Sequence, residues 1–183
     1  MLKVVVGVLS VIIFIGLICL LIHTLNTEMR KKNKAKKTRK QLKAAPIALR
    51  IWNSVENAIH SLNTLKGDPL YEPVKDKMES LVDKMTNIML IIEKHPEYAD
   101  SMRSLDNHII PLMKKLLCNY ETYMKTGVPE KGKNIQDGIA SIHESLDIIG
   151  TVLDQCTDQS LQNNTFELNA DLKVLRSLYA TDI

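Results

Sequence analysis

Residues 74–96 read VKDKMESLVDKMTNIMLIIEKHP, and their apolar positions decide the fold class. Val74, Met78, Leu81, Met85, Ile88 and Ile92 follow one another at steps of four and three. A strand buried on one face would alternate every second residue, whereas this spacing is the seam of a helix in a bundle or coiled coil. The polar residues between them fall on the other face. His95-Pro96 closes the stripe, because the residue before a proline is pushed out of helical geometry. The start is open between Pro69 and Pro73.

The same period continues on both sides. Upstream, Pro46 suits a first helical turn, where its missing N–H costs nothing. Trp52, Val55, Ile59 and Leu62 form a stripe that stops at Gly67-Asp68-Pro69. Downstream, Tyr98, Met102, Leu105, Ile109, Leu112, Leu116, Tyr120 and Tyr123 run through Pro111, which predicts a kinked helix. Gly127-Val128-Pro129 ends it, and a polar loop reaches Asn134. Asn134 is placed to cap a fourth helix, with Asp137 three residues on and a stripe of Ile135, Ile139, Ile142, Leu146, Ile149, Leu153 and Cys156. After a polar turn, Leu168, Leu172, Leu175 and Tyr179 mark a short last helix. Residues 46–183 therefore read as an all-α domain: an elongated up-down bundle of four main helices plus a short C-terminal helix, with short loops joining antiparallel neighbours. Methionines on the stripes are read as core filling.

The first part of the chain has a different composition. Residues 4–22, VVVGVLSVIIFIGLICLLI, hold no charge, and as a helix they span about 28 Å, close to a bilayer's hydrocarbon thickness. The run is long for a signal peptide, and no small-residue cleavage site follows. Residues 1–23 are thus expected to be a retained transmembrane anchor. Residues 24–45 are a basic juxtamembrane linker containing Arg30, Lys31, Lys32, Lys34, Lys36, Lys37, Arg39, Lys40 and Lys43. Basic flanks stay on the cytoplasmic side. The expected topology is single-pass in the cell membrane, with the N-terminus outside and the C-terminal domain cytoplasmic. The same nine side chains then face anionic inner-leaflet lipids, the expected partners of this segment along with the bilayer.

The overall charge of +3 conceals this division. Residues 1–43 carry ten basic side chains and one acid, a net +9, and residues 44–183 carry a net −6. An acidic domain opposes a polyphosphate, and the basic run lacks aromatics for base stacking, so nucleic acid is not an expected partner.

Few residues suggest chemistry. The chain has no GxGxxG or GxxxxGKS phosphate loop and no CxxC pair, and none of its three cysteines opens a Cys-x5-Arg loop. The thiols are expected to be buried and reduced, and no cofactor is implied. In HESLD, His143 and Asp147 share a helix face beside Glu144, one residue away from the HExxH zinc pattern. Zinc needs a third protein ligand, and none is nominated, so the trio reads as a surface i,i+4 pair and no metal is expected. Arg103 and Asp106 lie three apart near the Pro111 kink, and His108 points elsewhere.

MRSLDNHIIPLMKKLLCNYETYMKTG (residues 102–127) resembles the signature helix of the bacterial 5-bromo-4-chloroindolyl phosphate hydrolysis protein family. Arg103, Asp106, Pro111, Leu116, Leu117 and Tyr120 fit its order. NADLKVLRSLYATD (residues 169–182) is similar to the family's closing helix through Asp171, Leu172, Val174, Leu175 and Leu178. The family's aromatics before the proline are replaced here by His108 and Ile109, and its Asp-Gly ending by Asp182-Ile183. The resemblance implies a membrane-anchored helical protein with a distant likeness to toxic-anion (tellurite) resistance proteins. Three readings of function follow. The first is a scaffold or regulator of an envelope process that binds a protein partner. The second is a phosphoester hydrolase acting on indolyl phosphate-type substrates through an unrecognised site, with Arg103, Asp106 and His108 as first candidates and His143, Glu144 and Asp147 as second. The third is a stress factor against toxic anions. Hydrolysis needs a nucleophile or metal-bound hydroxide with cationic stabilisation of the phosphoryl oxygens, and the residues do not supply that set.

Overall fold

The computed structural model describes residues 20, 23–25, 27–30, 32–126 and 135–162. They are all-α, with no strand among the described residues. The chain divides into two compact units, Met1–Lys43 and Ala44–Ile183.

In the first unit, residues 23–25, 27–30 and 32–42 are helical. Most of the expected anchor lies outside the described residues. Among those that are described, no helix is long and apolar enough to cross a membrane.

The second unit contains helices α1 (Pro46–Leu65), α2 (Lys75–Lys94), α3 (Ile110–Thr126) and α4 (Ile135–Gln162). Pro46 sits in the first turn of α1, as its ring and missing N–H predict. At the other end, Lys66 N–H donates to the Leu62 carbonyl at 2.9 Å, and the Asp68 carboxylate then accepts from Leu70 N–H at 2.9 Å. That bond starts a 3-10 turn, Pro69–Val74, which feeds α2. The six apolar positions of the α2 stripe are all buried, none above 1% exposed.

The segment between α2 and α3 is less regular. A 3-10 turn, Pro96–Asp100, is followed by a π-helical turn, Leu105–Ile109, in which Ile110 N–H bonds the Leu105 carbonyl five residues back. Pro111 explains it. In a regular helix its ring would press on the carbonyl four residues earlier, and the widened turn just before it makes room.

The expected stripe of α3 holds at Ile109, Leu116 and Tyr120 and departs at Leu112. Met113 is buried where Leu112 was expected, and Leu112 is only half-buried. Ile109 and Ile110 are both buried, as are Leu116 and Leu117. In α4, Ile142, Leu146, Ile149, Leu153 and Cys156 are buried as the stripe predicts, while Ile135 and Ile139 are half-buried. The Asn134 cap and the last helix lie outside the described residues.

Packing order differs from chain order. α2 packs chiefly on α1 and α4, and α3 chiefly on α4. Two ion pairs join α2 to α4: Lys77–Asp147 at 2.5 Å, and Lys84–Asp154. Both partners advance by seven residues together, so these neighbours run parallel. α3 and α4 run antiparallel, with Tyr120 beside His143 and Tyr123 beside Gly138. The expectation that short loops make consecutive helices neighbours therefore fails at α2 and α3. The segment Pro96–Asp100 packs on both α1 and α2, with Ala99 buried, and carries the chain past α1 before α3 begins.

Candidate functional site

The most connected polar residue near the kink is Asp106, within the π turn. Its carboxylate accepts from Arg50 Nε at 2.8 Å and from the Ser54 hydroxyl, both on α1. Arg50 and Ser54 are one turn apart on α1, so they reach the same point. The Asp106 side chain is 19% exposed, which makes this a half-buried clamp between α1 and the start of α3. Sequence reasoning named Asp106 but not its two partners, which lie in a distant helix with no local pattern to mark them.

The other candidates do not gather around it. Arg103 bonds Asp100 through Nε at 3.0 Å and Nη2 at 2.7 Å, on the exposed surface. His108 is exposed. The carboxylate that a hydrolase site would use is engaged by Arg50 and Ser54, and the expected arginine is engaged by Asp100.

The HESLD residues also separate. Asp147 takes Lys77 from α2, and Glu144 is exposed. His143 turns toward α3, its ring centroid 6.2 Å from that of Tyr120 at a 57° tilt. Burial, and then the positive charge of Lys77, hold its pKa below the ordinary histidine value against the opposing pull of Asp147. No group of three or more His, Cys, Asp or Glu side chains among the described residues could hold a metal ion.

Tyr120 is fully buried and stacks on Tyr71, with ring centroids 5.7 Å apart and a 29° interplanar angle. The Tyr71 hydroxyl donates to Glu121 at 3.3 Å. Burial first, and then Glu121, push the Tyr71 hydroxyl up to about 12. Glu121 is itself held below the usual carboxylate range by Lys125, 2.5 Å away. The Tyr120 hydroxyl is buried with no hydrogen-bond partner among the described residues, and burial raises its pKa.

Among the remaining signature positions, Pro111, which follows the π turn, is exposed and Leu117 is buried. Asp171, Leu172 and Leu175 lie outside the described residues. Eight of the nine basic residues of the stem are described, all but Lys31, and all eight are exposed. The thiol expectation needs correction at Cys118, which is exposed because its position on α3 faces outward. Cys156 is buried, and burial pushes its thiol up to about 12.

No family model, curated protein or solved structure matches the chain.

Proposed function

We propose that this chain is a single-pass membrane protein whose helical bundle acts as a scaffold or regulator of an envelope process. In this reading residues 4–22 span the bilayer, the basic stem lies against anionic inner-leaflet lipid, and the bundle faces the cytoplasm, where it binds a protein partner. The likeness to the 5-bromo-4-chloroindolyl phosphate hydrolysis family belongs to the same proposal, as does the short C-terminal helix.

One observation carries it: an uncharged run of bilayer length abuts nine basic residues, and every described member of that set is exposed. Each Lys or Arg near an anionic surface contributes on the order of 1 kcal/mol of attraction. The dispersal of Arg103, Asp106 and His108 favours the scaffold over the hydrolase reading. Catalysis on a phosphate ester needs its charged groups convergent, and here Arg103 pairs with Asp100, Asp106 pairs with Arg50, and His108 is exposed.

The test uses the full-length chain in bacterial cells. A reporter that works only in the cytoplasm, fused after Ile183, should be active, and the protein should stay with membranes through alkaline carbonate extraction. An inactive reporter overturns the orientation, and release by carbonate overturns the anchor. The purified full-length protein should not turn over 5-bromo-4-chloroindolyl phosphate with or without divalent metals. Steady turnover that is lost in Asp106→Asn or His143→Gln would make it an enzyme.

A further inference from the structure

Residues 32–42 of the stem form a helix, and Lys43 follows directly. At about 100° per residue, Lys36, Lys40 and Lys43 fall within about 80° of Lys32 on the helix circumference. All four lysines are exposed, and they form a straight row about 17 Å long. Lys37 and Lys34 lie about 140° and 200° round from Lys32. Thr38 and Leu42 take a third side, at about 240° and 280°. They are 2% and 1% exposed. The basic residues of this helix therefore do not form an even sleeve: one side carries a row of ammonium groups and another is closed.

Such a row is unfavourable by itself, because like charges three and four apart on a helix repel. The one acid near it is Glu28, four residues before Lys32, and none follows until Glu56. The anions that would relieve the repulsion have to come from outside the segment. A compact anion reaches one or two of the four lysines, whereas a flat anionic surface reaches the whole row. The uncharged run at residues 4–22, of bilayer length, places such a surface beside the stem. A helix standing upright on that surface carries Lys43 about 30 Å from residue 22, roughly three Debye lengths, where lipid charge is screened. A helix lying along the surface brings all four lysines to it together.

We propose that the stem helix lies along the anionic leaflet and binds phospholipid headgroups through one face, Lys32, Lys36, Lys40 and Lys43, with Lys34 and Lys37 turned away. This contact rests on the membrane reading of residues 4–22 and adds to it which charges meet lipid and how the stem is oriented.

The test embeds the full-length protein in lipid nanodiscs of phosphatidylcholine, with or without phosphatidylglycerol. A water-soluble amine reagent then labels the lysines, with peptide-resolved detection. Phosphatidylglycerol should slow Lys32, Lys36, Lys40 and Lys43 about fivefold each, the factor that corresponds to about 1 kcal/mol per lysine at an anionic surface. Lys34 and Lys37 should keep their rates. High salt should restore the four, since it shortens the range of the attraction. Lys36→Gln combined with Lys40→Gln should weaken protection at Lys32 and Lys43, and Lys34→Gln combined with Lys37→Gln should not.

Equal slowing of all six lysines overturns the proposal. So does slowing that fades from Lys32 to Lys43 whatever the face, which is the upright helix, and so does no slowing at all. Failure of the anchor reads differently, because the chain would then elute apart from the discs. Labelling that soluble chain beside vesicles of the same two compositions reads the face directly, and the same three outcomes overturn it.

Discussion

Asp106 accepts Arg50 Nε at 2.8 Å, joining the π turn before α3 to the first half of α1. The same carboxylate takes the Ser54 hydroxyl, so two groups on one helix hold a single acid on another segment. Removing the acid and removing the arginine should therefore differ. Asp106→Ala loses both bonds and leaves Ser54 and Arg50 without their acceptor, at a cost of about 1–3 kcal/mol. Arg50→Ala, at a side chain 54% exposed, should cost less than about 1 kcal/mol. Urea unfolding of the two variants measures the difference, and equal losses would show that the clamp is not what holds the π turn to α1.

Two glycines in α4 should respond to alanine with opposite signs. A Cβ at Gly150 would lie 3.5 Å from Lys84 Nζ and 3.9 Å from Leu81 Cδ2, ordinary contact distances. Gly150→Ala should stabilise by about 0.5–1 kcal/mol, the usual gain for alanine in a helix interior. A Cβ at Gly138 would lie 2.9 Å from two ring atoms of Tyr123. Gly138→Ala should destabilise by about 1 kcal/mol or more through overpacking. Pairing it with Tyr123→Ala should remove that penalty, a coupling that thermal unfolding of the single and double variants will reveal.

Stability should fall as the solution is acidified through the histidine range. His143 has a pKa below its ordinary value of 6.5 because burial and Lys77 disfavour its charged form. The unfolded chain therefore takes up a proton before the folded one does. This contribution is fully present above pH 6.5 and is lost as pH falls toward the folded-state value. Denaturant midpoints of the native protein and His143→Gln, measured from about pH 5 to 8, should converge in shape only if another group is responsible.

Tyr71 predicts loss at the alkaline end. Its hydroxyl is raised from 10.0 to about 12, so folding favours the protonated form. That stabilisation is complete below pH 10.0 and is lost as pH rises through about 12. Tyr71→Phe removes one ionisable group and should make this limb shallower, with buried Tyr120 and Cys156 contributing the remainder, as read by denaturant midpoints across the range.

The two described thiols should separate cleanly. Cys118 is exposed on α3, while Cys156 is buried with its pKa pushed up to about 12. An alkylating reagent near neutral pH should label Cys118 in the folded protein and reach Cys156 only after denaturant is added, because the thiolate is the reacting form. Labelling of Cys156 at the same rate would show that α4 opens locally.

How much was legible beforehand depends on the range of the cause. The α2 stripe was read without error because a three-and-four spacing reports a single helix face, and its six residues are buried together. Proline at the start of α1 and the disturbance at Pro111 were legible for the same reason, since both follow from a ring that removes an N–H and fixes φ. The consequence of Pro111 was not. A kink and a π turn both accommodate a proline, and packing chose the π turn, with Met113 buried and Leu112 half-buried beyond it.

By itself, then, the sequence determined the helical class, the helix bodies and the sorting of charge into a basic stem and an acidic bundle. These depend on residue type and on spacing within one segment. Tertiary structure alone decided that α2 packs against α4, that Asp106 belongs to Arg50 and Ser54 and not to Arg103, and that His143 faces Tyr120. Each of these joins residues far apart in the chain, and periodicity within a helix says which face is buried without saying what buries it.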